Sequence, residues 1–379
     1  MPDNETHSLG KPDQALLGTF RERIESKVPH WEEGAEQRRV INPTPLVDIT
    51  KELIACAKAE YGTDISKTRA RVLGKFDSEV FGGSIKVRPA VEIIRDAIST
   101  GKLRKGQVVF EATSGNFGLA LGMLRDLGIE VVNLVSRKLQ DGVKQELLSR
   151  GAKTIDLDVD ICPAPGLQID QNVLVAKTVA LNMRQQLVEQ GLDALVFDRS
   201  KAGIEQYLAR QDVIGLAKYL ATIYNGFCPE QYDNPLNVKV HETLTGPEID
   251  KQLFELGSHP LADYKLVCTF GTGGTSTGLA NYVEKKYSKR IVHVIFPLGN
   301  QDVAGIRTRE KSLGLRFYDP SMYAGEHEVD FNAAKRLFRY FAGKGYDIGE
   351  SSALALYATL QMINYGAGDK FIVIFADGL

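Results

Sequence analysis

The chain has 379 residues, of which 43% are hydrophobic and 25% charged, with a formal net charge of −2. That length exceeds what one core ordinarily organises, so two domains are expected. The near-neutral balance gives no electrostatic case for nucleic acid or for an anionic membrane surface, and the composition is that of a neutral, enzyme-like globular protein.

The four cysteines, Cys56, Cys162, Cys228 and Cys268, show no CxxC spacing. This argues against a metal site or a disulfide framework and for free thiols in a reducing compartment. The opening residues MPDNETHSLGKPDQ lack an apolar signal core, and no stretch approaches a membrane-spanning length. A cytoplasmic location is expected.

In chain order, residues 1–40 read as an extension containing the only tryptophan, Trp31. Two readings are open, a solvated helix and an arm covering a partner, and the first is favoured. Short apolar runs then alternate with helical periodicity. Strands are expected at 71–76, 107–112, 130–136, 154–159, 195–198, 265–270, 291–296 and 371–376. A helix is expected over 119–127, and a loop over much of 224–247. Strands rich in Val and Ile between helices predict an α/β fold with parallel sheets and a site at their C-terminal ends.

Three segments carry chemistry. Gly271-Thr272-Gly273-Gly274-Thr275 follows an expected strand and opens onto an expected helix, where free N–H groups and hydroxyls can hold an anion. The Gly-Lys-Ser/Thr ending of a P-loop is absent, and the next strand ends in Pro297-Leu298-Gly299-Asn300 rather than in the acid of a dinucleotide site. A single phosphate fits better. Thr113-Ser114-Gly115-Asn116 offers donors for a carboxylate, or equally a turn that caps the following helix. Lys86 follows a Gly-Gly-Ser turn and precedes an apolar-rich helix pattern. Buried there, its amine would have a depressed pKa and could form a Schiff base.

Together these segments resemble the fold-type II pyridoxal-phosphate (PLP) enzymes, most closely the cysteine synthase and cystathionine β-synthase group. Ser84-Ile85-Lys86-Val87-Arg88 is similar to that family's Ser-Val-Lys-Asp-Arg. The run from Thr113 to Gly118 is similar to its Thr-Ser-Gly-Asn-Thr-Gly loop, and Gly271 to Gly278 to its phosphate loop. Gln231-Tyr232-Asp233-Asn234-Pro235-Leu236-Asn237, then His241 and Thr245-Gly246-Pro247-Glu248-Ile249, is similar to Gln-Phe-x-Asn-Pro-x-Asn…His…Thr-Gly-Pro-Glu-Ile.

The resemblance implies two domains, each with a twisted, mostly parallel sheet flanked by helices, and an active site at their interface. Residues 41–240 would carry Lys86 and the carboxylate loop, with the early residues able to pack on the other domain; residues 241–379 would carry the phosphate loop. It implies that Lys86 holds PLP as an internal aldimine, that Gly271, Thr272, Gly273, Gly274 and Thr275 grip the phosphate, and that Asn116 contacts the ring hydroxyl. Thr113, Ser114, Gly115, Asn116 and Gln231 would form the substrate-carboxylate site.

Lys86 would remove the Cα proton of an activated L-serine such as O-acetylserine or O-phosphoserine. An aminoacrylate would form, and a nucleophile would add to give cysteine or a related β-substituted alanine. Elimination, as in serine or threonine dehydratases, and a catalytically inactive relative are the alternatives. A homodimer is implied.

The pattern departs from the family in four places, one being Glu350-Ser351-Ser352-Ala353, which is similar to the family's Ile-Ser-Ser-Gly but has an altered residue on each side. Phe117 stands where cysteine synthases usually have threonine, so the substrate pocket is expected to differ. Asp377 stands where a serine or threonine near the pyridine nitrogen is expected. It reads either as a partner for a pyridinium or as a carboxylate at a solvated chain end. Arg307 falls near the expected site mouth and reads either as a group recognising an anionic substrate or as a surface arginine.

Overall fold

In the computed structural model, residues 11–32, 39–113, 115–135, 141–157 and 173–378 are described. The first elements are α1 (Gln14–Arg23), β1 (His30–Trp31), β2 (Val40–Ile41), β3 (Leu46–Asp48), α2 (Thr50–Tyr61) and β4 (Arg71–Phe76). Next come α3 (Val87–Ser99), β5 (Val108–Ala112), α4 (Asn116–Leu121), β6 (Glu130–Val135), α5 (Asp141–Ser149) and β7 (Lys153–Asp156). Helices α6 (Val173–Glu189), α7 (Ala194–Ala209), α8 (Val213–Ile223), α9 (Leu236–Val240) and α10 (Gly246–Glu255) follow. The remainder is β8 (Lys265–Thr269), α11 (Gly274–Tyr287), β9 (Val292–Pro297), α12 (Arg309–Ser312), β10 (Gly325–Val329), α13 (Phe331–Gly343), α14 (Glu350–Asn364) and β11 (Lys370–Phe375).

A six-stranded sheet has the order β10-β9-β8-β11-β4-β3. Its pairs are parallel except β3 with β4. A second sheet, β5-β6-β7, is fully parallel. The last strand therefore lies beside β4, from the first quarter of the chain, with Phe371 opposite Val72. Strands such as β4, β9 and β11 are buried along almost their whole length, which explains their continuous apolar character. One apolar cluster runs from Leu73 and Ile372 of the larger sheet to Phe110 and Val132 of the smaller, so the two sheets share a core. Among the described residues, no helix is long and apolar enough to cross a membrane.

Seven of the expected strands appear, with small end shifts; positions 158 and 159 of the 154–159 run lie outside the described residues. The expected strand at 195–198 is instead the start of α7. A four-residue apolar run does not discriminate strand from helix, and here Asp193 decides it by accepting a hydrogen bond from the Leu195 N–H as an N-cap. The expected loop over 224–247 holds only in its first half. From Leu236 the chain is helical through α9, one π turn (His241–Thr245) and α10; Pro247 within this run has no N–H to give, and the Thr243 carbonyl four residues before it accepts from Trp31. The helix expected over 119–127 begins at Asn116 and tightens to a 3₁₀ turn from Gly122 to Leu127.

The N-terminal helix is not simply solvated. Leu16, Leu17 and Phe20 of α1 are buried in the cluster that holds Val87, Ala90 and Ile94 of α3. Trp31 donates its indole N–H to the Thr243 carbonyl at 2.9 Å.

Candidate active site

A cavity of about 680 Å³ opens where the C-terminal ends of β5, β8 and β11 converge. Lys86, Thr113, Gly115, Asn116, Phe117, Gln231, Asp377 and the whole run from Gly271 to Thr275 line it. Segments as far apart as residues 86 and 377 are thus brought together. Ser114 lies outside the described residues.

Lys86 is placed by its turn. Gly82 and Gly83 have φ of +100° and +80°, conformations that cost a side-chain-bearing residue strain, and a Cβ on Gly82 would also strike Val87 at 2.5 Å. The turn is then tied to the end of β11, with the Ile85 N–H donating to the Ala376 carbonyl at 2.7 Å and Ser84 bridging Asp377. Burial pushes the Lys86 amine below the ordinary lysine range, opposed by the negative charge of Asp377.

Asp377 is not a solvated chain end. Its Oδ1 accepts from Ser351 Oγ at 2.6 Å and its Oδ2 from Asn116 Nδ2 at 2.7 Å. Burial pushes its carboxyl above the ordinary range, while Ser351, Asn116 and Lys86 pull it back.

The segment after β8 lets backbone approach closely. A Cβ on Gly271 would lie 2.7 Å from the Gly305 carbonyl oxygen and only 3.8 Å from Lys86 Nζ; one on Gly274 would lie 2.1 Å from Asn237 Oδ1. The loop thus lines the cavity while packing so tightly against the Gly305 backbone and Asn237 that neither Gly271 nor Gly274 has room for a side chain. Behind the loop, Asn237 Nδ2 donates to Thr272 Oγ1 at 2.9 Å, and His241 Nε2 lies 3.3 Å from Thr275 Oγ1.

The Thr113 loop makes the expected turn. Thr113 Oγ1 accepts from the N–H groups of Gly115 and Gly118, at 3.2 and 3.3 Å, which is the capping turn, and the same loop lines the cavity. Phe117 is 2% exposed and packs into the cluster with α3, so its bulk is largely absorbed by the core. The Gln231 amide donates to the Ala112 carbonyl at 3.2 Å and to Glu111 Oε1 at 3.5 Å. Arg307 is neither a surface arginine nor a lining residue. It is 4% exposed, with its guanidinium 5.0 Å from the ring centre of Tyr232, which does line the cavity.

Below the site lies a buried charge network. Arg88, two residues after Lys86, donates to Asp77 Oδ1 at 2.6 Å and to Glu248 Oε2 at 2.7 Å. Lys75 donates to Glu248 Oε1 and to the Thr44 carbonyl. These groups tie α3 and β4 to α10. Arg88, Glu248, Asn237 and Ser351 all lie in family-like motifs, but residue type alone does not say which side chains they pair with.

An amine, a glycine loop backed by two hydroxyls, and a buried carboxylate together fit PLP, which carries an aldehyde, a phosphate and a ring nitrogen. The glycine loop carries this fit, since it lines the cavity and has no room for a side chain at Gly271 or Gly274.

A family model described as pyridoxal-phosphate dependent enzyme matches residues 39–377. A cysteine synthase of Aquifex aeolicus (strain VF5) is 27% identical over 350 residues, covering 90% of this chain and 88% of that protein. An O-acetylserine dependent cystathionine beta-synthase of Bacillus subtilis (strain 168) is 27% identical over 305 residues, covering 78% and 82%. Among solved structures, an O-ureido-L-serine synthase superposes with a TM-score of 0.63 at 21% identity, covering 88% of this chain and 89% of that one. An O-acetylserine dependent cystathionine beta-synthase from Helicobacter pylori gives 0.62 at 21% identity, covering 88% and 92%. The chain belongs to the pyridoxal-phosphate dependent enzymes, with the fold-type II architecture and PLP as its cofactor.

Proposed function

We propose that the protein catalyses β-replacement on an activated L-serine, of the O-acetylserine or O-phosphoserine type, giving cysteine or a related β-substituted alanine. The carrying observation is that Lys86 lines one cavity with the Gly271–Thr275 run and with Thr113, Gly115 and Asn116, in a chain whose relatives include a cysteine synthase and an O-acetylserine dependent enzyme.

When bound, PLP supplies a conjugated sink for the electron pair left at Cα. The residues of this chain supply the rest. Lys86 Nζ, depressed in proton affinity by burial, holds the cofactor and accepts the Cα proton once released. The Gly271–Thr275 loop, with the hydroxyls of Thr272 and Thr275, would hold the phosphate. The loop of Thr113, Ser114, Gly115 and Asn116 receives the substrate carboxylate. Gln231 fixes the strand end beneath that loop, since its donors already go to Ala112 and Glu111. Asp377, steadied by Ser351 and Asn116, would sit at the ring nitrogen and favour its protonated form.

Incubation with O-acetylserine and O-phosphoserine, with and without sulfide, tests the reading. Cysteine formation with suppressed pyruvate is expected when sulfide is present. Pyruvate at an undiminished rate would assign elimination instead, and neither product would mark an inactive relative.

A further inference from the structure

The phosphate cradle has a second layer whose hydrogen bonds fix a direction. Asn237 and His241 stand four residues apart on one helical face, where side chains are neighbours. The π turn beginning at His241 is a rare distortion of the kind found at functional sites. Both side chains are buried, at 2% and 1% exposed, and each meets one threonine of the loop.

For Asn237 the donor is settled by chemistry. The same Nδ2 lies 2.7 Å from the Gln231 carbonyl, which can only accept, and 2.9 Å from Thr272 Oγ1. Thr272 Oγ1 also accepts from the Gly274 N–H at 3.3 Å. With its oxygen supplied from behind, the Thr272 hydroxyl has its own proton left to give.

His241 presents the same arrangement if Nε2 carries the proton. Its Nδ1 lies 2.9 Å from Thr245 Oγ1 and its Nε2 lies 3.3 Å from Thr275 Oγ1. A chain running Thr245 O–H to Nδ1 and Nε2–H to Thr275 Oγ1 leaves the Thr275 proton for an acceptor in the cavity. Burial, with Arg88 and Lys86 nearby, keeps the imidazole neutral and so able to accept at one nitrogen while donating at the other.

We infer that Asn237 and His241 are positioning residues that turn the Thr272 and Thr275 hydroxyls toward the cofactor phosphate. The inference rests on the proposed placement of that phosphate at the Gly271–Thr275 loop. It adds a proton direction to two hydroxyls and assigns it to side chains that do not touch the cofactor.

The test measures PLP dissociation constants of the apo-protein by absorbance, with nitrogen NMR of histidine-labelled wild-type holoenzyme. Asn237→Asp replaces donors with acceptors and His241→Asn cannot reach Thr275. Each should weaken PLP binding about tenfold or more, the scale of a hydrogen bond to a charged group. His241→Gln, which keeps a donor near the Nε2 position, should recover much of the affinity. Adding Thr272→Val to Asn237→Asp should cost little further, because both act through one hydroxyl. The wild-type His241 signal should show Nε2 protonated and Nδ1 bare, a readout needing no variant. An Nδ1-protonated His241, or full additivity of the Asn237 and Thr272 losses, would overturn the inference. Wild-type protein that binds no PLP would instead fail the functional reading itself.

Discussion

Replacing Glu248 with glutamine changes one atom and removes the charge at the centre of the buried network. Glu248 accepts from the Thr44 N–H at 2.9 Å, from Arg88 Nη1 at 2.7 Å and from Lys75 Nζ. Glutamine keeps one acceptor oxygen but must point an NH₂ group at one of the two cations, so a charge-assisted bond becomes a donor–donor contact. Side chains of Lys75, Arg88 and Glu248 are all within 1% of complete burial, so water cannot compensate. Breaking a buried pair on one side costs about 3–5 kcal/mol, and that range applies here. Urea unfolding monitored by fluorescence should show the midpoint falling accordingly. Asp198→Asn, in the exposed pair with Arg184, should leave the midpoint where it was. A Glu248→Gln midpoint as close to wild type as the surface control would refute the claim that this network holds α3, and with it Lys86, in place.

Other consequences are as specific. Gly274→Ala places a Cβ where Asn237 Oδ1 stands, so PLP affinity should fall at least about tenfold while circular dichroism is unchanged; unaltered affinity would mean the loop is not the phosphate cradle. Burial pushes the Glu111 carboxyl up to about 8 from an ordinary 4.5, so folding favours its protonated form. Its contribution to stability is full below pH 4.5 and is lost as pH rises through 8, by at most about 5 kcal/mol. Glu111→Gln should therefore gain on wild type in urea midpoint between pH 5 and pH 8.5, and parallel pH profiles would contradict this. Asp377→Ser removes the carboxylate proposed to face the ring nitrogen, and the ring-nitrogen NMR signal of bound labelled PLP should move from the protonated toward the unprotonated range; an unmoved signal would remove Asp377 from that role.

Much of the site was legible because it is made by local backbone chemistry. Gly82-Gly83 before Lys86 and the Gly271–Gly274 run announce turns and close approaches that only glycine permits, whatever the rest of the chain does. What was hidden depends on pairing across the chain. Arg88 and Glu248 are 160 positions apart, and nothing local in either says that the other neutralises it. For Asp377 the sequence leaves a pyridinium partner and a solvated chain end both open, and it is the contacts with Ser351 and Asn116, far away in the chain, that enclose it. The fold was legible where apolar runs were long enough to be strands on both faces, and misread at 195–198, where a cap outside the run decided the outcome.

The proposed function requires that Lys86 carry the cofactor, beside two loops that the fold brings to one cavity. Absorbance spectra of purified wild-type protein and of Lys86→Ala, each after incubation with PLP and removal of the excess, test it most directly. The wild-type protein should be yellow, with a visible band that is absent from the variant. A band that survives the substitution, or a wild-type protein that takes up no PLP, would contradict it.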